Sequence, residues 1–306
     1  MKVPLELCGP LLAIAVATGA SAHRQQATFR ASVDVVELNV AVLDGRKPVA
    51  GLTPANFTIT DNRVSQQVLS VARESVAIDA TMVIDMSESL SEPLVRSIIS
   101  AVNRIRERMR PDDRVSLVTF NERIQERLPL MPPPLAKAVE LGRPRGQTSL
   151  NDALAVVMTQ PAVVDRRQMA IVFTDGWDAS SILSEAEVMA VAGRSSTTVF
   201  VVARTFDTWW RTAFFRQVAE ATGGIAEIVS PYSTVEKTAT SMRMAVTDQL
   251  NLDDSFIKAL EDFRSSYVVR YNLAGVPRAG WHDVVVKARR GGKSYTVRTR
   301  TGYIGG

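Results

Sequence analysis

From about residue 79 onward, continuous apolar runs alternate with amphipathic periods. Ala80 to Ile84 is a run of strand formers, and Leu94, Val95, Ile98, Ile99, Val102 and Ile105 then recur at the spacing of one helix face. Asp112-Asp113 breaks that period, and Val115 to Phe120 predicts the next strand. A proline-rich connection, Met131 to Pro134, leads to Gly146-Gln147-Thr148 and a helix over Leu150 to Met158. Met169 to Phe173 and Thr198 to Ala203 predict strands, and Ser184 to Ala192 and Trp209 to Ala221 predict helices. Gly223-Gly224 stops the second of these helices, and a short strand follows over Ile225 to Val229. Apolar strands that alternate with amphipathic helices bury both faces of a sheet, which argues for a doubly wound, mostly parallel α/β fold.

The two flanks read differently. Val33 to Leu43, Phe57 to Thr60 and Val68 to Ala72 are short strand-like runs separated by Asp44-Gly45, Gly51 and Asp61-Asn62. After a helix over Ser255 to Phe263, strands return at Tyr267 to Tyr271, Trp281 to Arg289 and Ser294 to Arg300, the last two joined by the turn candidate Gly291-Gly292. The N-terminal segment is too short to bury a core comfortably alone. The expectation is a smaller composite β subdomain built from both ends. The predicted organisation is a signal peptide over 1–22, an N-terminal β module over 28–75, the α/β domain over 76–250, and a helix with C-terminal strands over 251–306.

The signal-peptide reading rests on an early lysine, an apolar stretch from Leu7 to about Ala17, and Ala20-Ser21-Ala22 in the small-x-small pattern. That apolar stretch is short for a bilayer span of about 20 residues. The implied location is secreted or periplasmic, with no stable transmembrane segment after cleavage.

Composition narrows the chemistry. Cys8 is the only cysteine and lies in the predicted signal, so the remainder has no thiol, disulfide or sulfur ligand. The two histidines, His23 and His282, are too few for a His-rich zinc site. A Ser-His-Asp hydrolase would depend on His282, and no G-x-S-x-G elbow is present. The net charge of +4 is mild, and glutamates interrupt the arginines between Arg96 and Arg110, so a solvated helix face is favoured over a nucleic-acid patch.

In an open parallel sheet, ligands bind in the crevice beyond the carboxyl ends of the strands. The loops predicted there carry Asp85, Ser87 and Ser89 at two-residue steps, then Thr148, then Asp175. Two carboxylates with three hydroxyls form a hard-oxygen set suited to Mg²⁺, Mn²⁺ or Ca²⁺. Each element also has an ordinary reading. Ser89 or Ser91 can cap the helix that Pro93 helps begin, Ser149-Leu150-Asn151-Asp152 reads as a capping box, and Asp175-Gly176 reads as a turn.

The segments DMSES, Gly146-Gln147-Thr148 followed by LNDAL, and IVFTDGWD (171–178) resemble the metal-ion-dependent adhesion site of von Willebrand factor type A (VWA) domains. The resemblance spans roughly residues 76 to 250. The flanks, GLTPANFTITDN (51–62) and WHDVVVKARR with the closing TGY, are similar to those of secreted bacterial VWA-related proteins. It implies a divalent cation held by Asp85, Ser87, Ser89, Thr148 and Asp175, a protein partner that completes its coordination with an Asp or Glu, and no catalysis. Glu88 departs from the family pattern, which has Gly between the two serines. Metal-assisted hydrolysis and a structural domain with a vestigial site are the competing readings. Secondary candidates are Trp209 and Trp210 as partner anchors or core, Phe214 and Phe215 as core, and Asp178 as a group supporting the site or a solvated helix leader.

Overall fold

The computed structural model describes residues 35–73, 75–135, 139–176, 178–204, 209–229, 232–238, 241–246 and 252–306. The predicted signal peptide, Cys8 and His23 lie outside these residues, as do the side chains of Trp209 and Trp210.

The first strands are β1 (Val35–Asp44), β2 (Lys47–Pro48), β3 (Phe57–Asp61), β4 (Val64–Arg73) and β5 (Ala77–Asp85). Helix α1 (Glu92–Arg108) leads to β6 (Arg114–Phe120) and β7 (Ile124–Met131), and α2 (Leu150–Met158) leads to β8 (Arg166–Thr174). Then follow α3 (Glu185–Arg194), β9 (Thr198–Arg204), α4 (Trp209–Thr222) and β10 (Ala226–Val229). The chain continues through β11 (Tyr232–Thr238), β12 (Ser241–Val246) and α5 (Leu252–Ser265). It closes with β13 (Tyr267–Asn272), β14 (Gly280–Arg290), β15 (Lys293–Arg298) and β16 (Gly302–Gly305).

The central sheet has the order β10-β9-β8-β5-β6-β7, parallel throughout except for β7 at the edge. Its strands are apolar on both faces because both are covered. Met82 and Ile84 of β5 face α1 and α5, together with Ile98, Ile105, Phe256 and Phe263. Val83, between them, faces the opposite layer with Leu154 of α2, Val188 of α3 and Phe215 of α4. Phe214 and Phe215 are core residues, as the helical period requires. The helix grouped with the C-terminal strands in the sequence reading, α5, packs on α1 and shares the core of the central sheet.

A second sheet closes on itself. Strands β13, β4, β3, β14, β15 and β1 pair in that order, and β1 pairs back to β13, all antiparallel. Its interior holds Leu38, Val40, Ile59, Tyr267, Val269 and Val286. The β14–β15 turn falls on Gly291 and Gly292 at φ +57 and +81, the left-handed pair that a tight two-residue hairpin requires. A separate two-stranded hairpin, β11–β12, the edge strand β7 and the short strand β16 complete the architecture and are not predicted by the sequence pattern. Beta7 carries exposed Glu126 and Arg127 in its middle, and β16 is only four residues long, so neither gives a clear period.

One end of the closed sheet holds a buried polar cluster. His282 Nδ1 lies 2.8 Å from Asp61 Oδ1, while the Tyr271 and Tyr303 hydroxyls donate to Asp61 Oδ2 at 2.6 and 3.0 Å. His282 stacks on Tyr303 with centroids 4.4 Å apart. The described partners of its ring nitrogens are Asp61 and the Arg278 carbonyl. Both ring nitrogens of His282 are thus engaged inside the closed sheet.

Candidate metal centre

The chain order of the central sheet reverses between β5 and β8, because β6 lies on one side of β5 and β8 on the other. The carboxyl ends of these two strands therefore frame the crevice at a topological switch point. Asp85 is the last residue of β5, and Asp175 follows the last residue of β8.

Asp85 is fully buried. Its Oδ1 accepts from the Ser87 amide at 2.9 Å, which turns the chain out of the strand, and its Oδ2 accepts from the Thr174 hydroxyl at 2.7 Å. The Ser87 and Ser89 hydroxyls are 3.0 Å apart, and Ser89 Oγ donates to Asp175 Oδ1 at 2.8 Å. Ser87 is buried, whereas Ser89 and Glu88 are exposed at the rim. Two-residue spacing thus directs the side chains of Ser87 and Ser89 to one spot beside the two carboxylates. The helix cap is supplied separately: Ser91 Oγ accepts from the Leu94 amide at 3.4 Å, which leaves Ser89 for the crevice.

Thr148 is buried, and its Oγ1 lies 3.8 Å from the position of a Cβ built on Gly176. Its own carbonyl accepts from the amides of Ala179 and Ser180 at 2.8 and 3.0 Å, so the loop after β8 grips it from behind. The loop before it is held against the loop after β5 by Glu88 N to Gly146 O at 3.0 Å and Arg145 N to Met86 O at 2.9 Å. Gly146 has φ +74, and a Cβ there would fall 1.4 Å from a Glu122 carboxylate oxygen. Glu122 occupies that space and accepts from the Gln147 amide at 3.1 Å. The positive φ favours glycine at this position, and a methyl group there would displace the exposed Glu122 carboxylate.

The capping-box reading of Ser149 to Asp152 is corrected. Ser149 makes no side-chain cap; its hydroxyl pairs with Ser180 Oγ at 2.8 Å. The start of α2 is capped from the loop after β8 instead. Asp178 Oδ1 accepts from the Asn151 amide at 3.2 Å, and Ser181 Oγ accepts from the Asp152 amide at 3.0 Å. Asp178 therefore caps a helix rather than facing solvent, and it ties the Thr148 loop to the Asp175 loop.

Burial pushes the Asp85 carboxyl up to about 6, against hydrogen bonds from Ser87 and Thr174 that favour its ionised form, with the nearby charge of Asp175 adding to the rise. Burial also raises Asp175, opposed by the Ser89 hydroxyl and the positive charge of Arg204. Thr174 and Arg204 are the contributors that sequence reasoning missed. Thr174 directly precedes Asp175 at the end of an apolar strand, a position from which its side chain can reach Asp85. Arg204 ends β9, and only the strand order brings it near.

Among the described residues, no three or more His, Cys, Asp or Glu side chains gather to hold a metal. The Asp85–Asp175 cluster combines two carboxylates with hydroxyls, a donor set that suits a hard divalent cation needing several oxygens at modest total charge. A buried carboxylate whose described hydrogen-bond partners are neutral also fits a bound cation.

Residues 79–238 match the family model described as the von Willebrand factor type A domain. A von Willebrand factor type A protein from Catenulispora acidiphila is 14% identical, with 89% of this chain and 74% of that chain covered at a TM-score of 0.48. A mussel byssus protein, proximal thread matrix protein 1 with a zinc-occupied MIDAS motif, is 14% identical at a TM-score of 0.46, with 66% of this chain covered. This chain spans about half the length of the mussel protein, 49% of it. The SpRpn10 VWA domain is 15% identical, with 60% of this chain and 95% of that chain covered at a TM-score of 0.41. No curated protein matches the sequence significantly. On the strength of the family match, which takes in β5 through β11 and so the whole crevice, the chain belongs to the von Willebrand factor type A domain family.

Proposed function

We propose that this chain is an extracytoplasmic, metal-dependent protein-binding module of the adhesion or scaffolding kind. Asp85, Ser87, Ser89, Thr148 and Asp175 would hold a divalent cation, Mg²⁺ before Mn²⁺ or Ca²⁺. When bound, the cation supplies an electrophilic position that an Asp or Glu carboxylate from a protein partner fills. Asp85 would contribute charge from the buried floor, while the Ser87 and Ser89 hydroxyls would exchange their mutual hydrogen bond for donation of lone pairs. The exposure of Ser89 leaves the outward side open to a partner. In the same reading, the closed sheet formed from both ends of the chain is a smaller subdomain beside the α/β domain of residues 76–250. The extracytoplasmic location rests on the N-terminal sequence. No helix among the described residues is long and apolar enough to cross a membrane.

The observation that carries this reading is the fully buried Asp85 carboxylate, within a hydrogen-bonded set of oxygens at the switch point, with only neutral described hydrogen-bond partners. Isothermal titration of Mg²⁺, Mn²⁺ and Ca²⁺ into the wild type and Asp85→Ala tests it. Binding is expected in the wild type alone, and equal binding by both overturns the reading. A pull-down from an envelope extract should capture a partner that EDTA releases and that Asp85→Ala fails to capture.

A further inference from the structure

At the other end of the central sheet, beside the starts of β8 and β9, lies a second cavity of about 680 Å³. Nine residues of strand separate Arg166 from Asp175, so the cavity is roughly 25–30 Å from the oxygen cluster at about 3.3 Å per residue. Its volume is in the range that takes a small organic molecule, roughly 300–1,000 Å³.

Five arginines line it, at 166, 167, 194, 270 and 300, against two carboxylates, Glu37 and Asp165. The carboxylates are already engaged: Arg270 pairs with Glu37 at 2.8 Å and with Asp165 at 3.7 Å. Arg166 pairs with the buried Asp79 at 2.7 Å. Arg167 and Arg300 differ from these, because every described hydrogen bond they make goes to a neutral acceptor. Arg167 donates to Asn39 Oδ1 at 2.8 Å, to the Ser266 carbonyl at 3.4 Å and to Ser266 Oγ at 2.5 Å. Arg300 donates to the carbonyls of Gly302, Ser195, Ala192 and Gly193, the last three at the end of α3.

Arg167 is only 2% exposed and its guanidinium stacks over Phe263 at 4.0 Å. Burial pulls Arg167 down to about 9 and Arg300 down to about 10, both still above neutral pH, so both stay cations. A buried charge is costly unless it is matched, and the carboxylate whose charge acts on Arg167 is Glu37, already paired with Arg270. Arg167 and the half-buried Arg300 both line this space of molecular size. Its lip is apolar, with Val164 86% exposed and Val163 and Val35 also exposed.

We propose that this cavity is a binding site for a small organic anion, a carboxylate or phosphate head carrying an apolar body. The head answers the charge of Arg167 and Arg300, and the apolar body covers the Val163–Val164 lip. The bonds described for Arg167 use three of the five N–H groups of a guanidinium, so donors remain for an anion. The site is independent of the crevice at Asp85.

Isothermal titration of the full chain with hexanoate, hexyl phosphate and neutral hexyl glucoside tests this, with phosphate and carboxylate heads distinguished by the two anions. At least one anion should bind about tenfold more tightly than the glucoside, as charge-assisted hydrogen bonds require. Asp85→Ala should bind it as the wild type does. Arg167→Gln should weaken it about tenfold, and because that buried residue could be needed for folding, Val164→Asp on the exposed lip should weaken it about threefold by like-charge repulsion. Absence of anion binding up to about 10 mM, equal binding of the glucoside, or unchanged affinity in Val164→Asp overturns the proposal.

Discussion

At the proposed cation site, Asp85 would trade stability for binding capacity. Its carboxyl is raised from 3.8 to about 6 in the folded chain, so between those values the folded state holds a proton that the unfolded state has lost. The contribution of Asp85 to stability without metal is therefore fully present below about pH 4 and is lost as pH rises through about 6, by roughly 2–4 kcal/mol at completion. Asp85→Asn removes the buried charge and keeps the contacts. Its carbonyl oxygen still accepts from Ser87 N, its amide donates to Thr174 Oγ1, and the Thr174 proton turns to the Gly176 carbonyl 3.0 Å away. In EDTA at pH 7.5 this variant should melt several degrees above the wild type, and the difference should vanish near pH 4. Added Mg²⁺ should raise the melting temperature of the wild type alone. Glu88 calls for a different expectation. It is exposed, and its backbone is not among the left-handed residues, so the glycine usual in the family is not demanded by conformation. Glu88→Gly should change thermal stability by no more than about 1 kcal/mol and leave cation binding intact, as measured by melting and titration.

At the scale of elements, the crevice depends on loops that hold one another more than on the strands they follow. The first turn of α2 takes its caps from Asp178 and Ser181, some 27 to 29 residues onward. Asp178→Ala should cost about 1–2 kcal/mol in urea unfolding, as loss of a helix cap does. It should also weaken cation binding, because the same loop positions Asp175 and grips the Thr148 carbonyl. Gly146→Ala places a methyl group on the Glu122 carboxylate and strains a left-handed backbone, and should cost about 1–3 kcal/mol. The double change Gly146→Ala with Glu122→Ala should recover only the steric part of that loss, a measure of how the two contributions divide.

For the whole molecule, the interlocking of the two sheets sets where the chain can be cut. Phe256, Leu260 and Phe263 of α5 lie in the core on the α1 face of the central sheet, and Arg264 of the same helix pairs with the buried Asp113 at 2.6 Å. Burial of three large side chains is worth on the order of 5–8 kcal/mol, comparable to the net stability of a domain. A fragment of residues 76–250 should therefore lack a cooperative melting transition, whereas one of residues 76–265 should melt cooperatively. Circular dichroism of the two decides it. Asp112-Asp113 breaks the helical period in the sequence, and in the fold Asp113 Oδ1 accepts from the Ile78 amide while Oδ2 accepts from the Arg110 amide and the Arg264 guanidinium. It fastens three elements at the end of the sheet away from the crevice.

The local pattern alone determined the central elements, because a strand buried on both faces must be apolar throughout and a covering helix must repeat its apolar residues every three to four positions. Met82, Val83 and Ile84, and the stripe from Leu94 to Ile105, leave little choice. It also determined which residue types stand at the strand ends, and so the oxygen character of Asp85, Ser87, Ser89, Thr148 and Asp175. Only the tertiary structure decided how they meet. The hydrogen bonds of Thr174 to Asp85 and of Ser89 to Asp175 span 89 and 86 residues, and no local period encodes such a pairing. The same holds for the closure of β1 onto β13 and for the convergence of Arg167 and Arg300 on one cavity. Each joins segments more than a hundred residues apart, and the partner of a strand edge or a charge is fixed by the packing of the finished fold rather than by its neighbours in sequence.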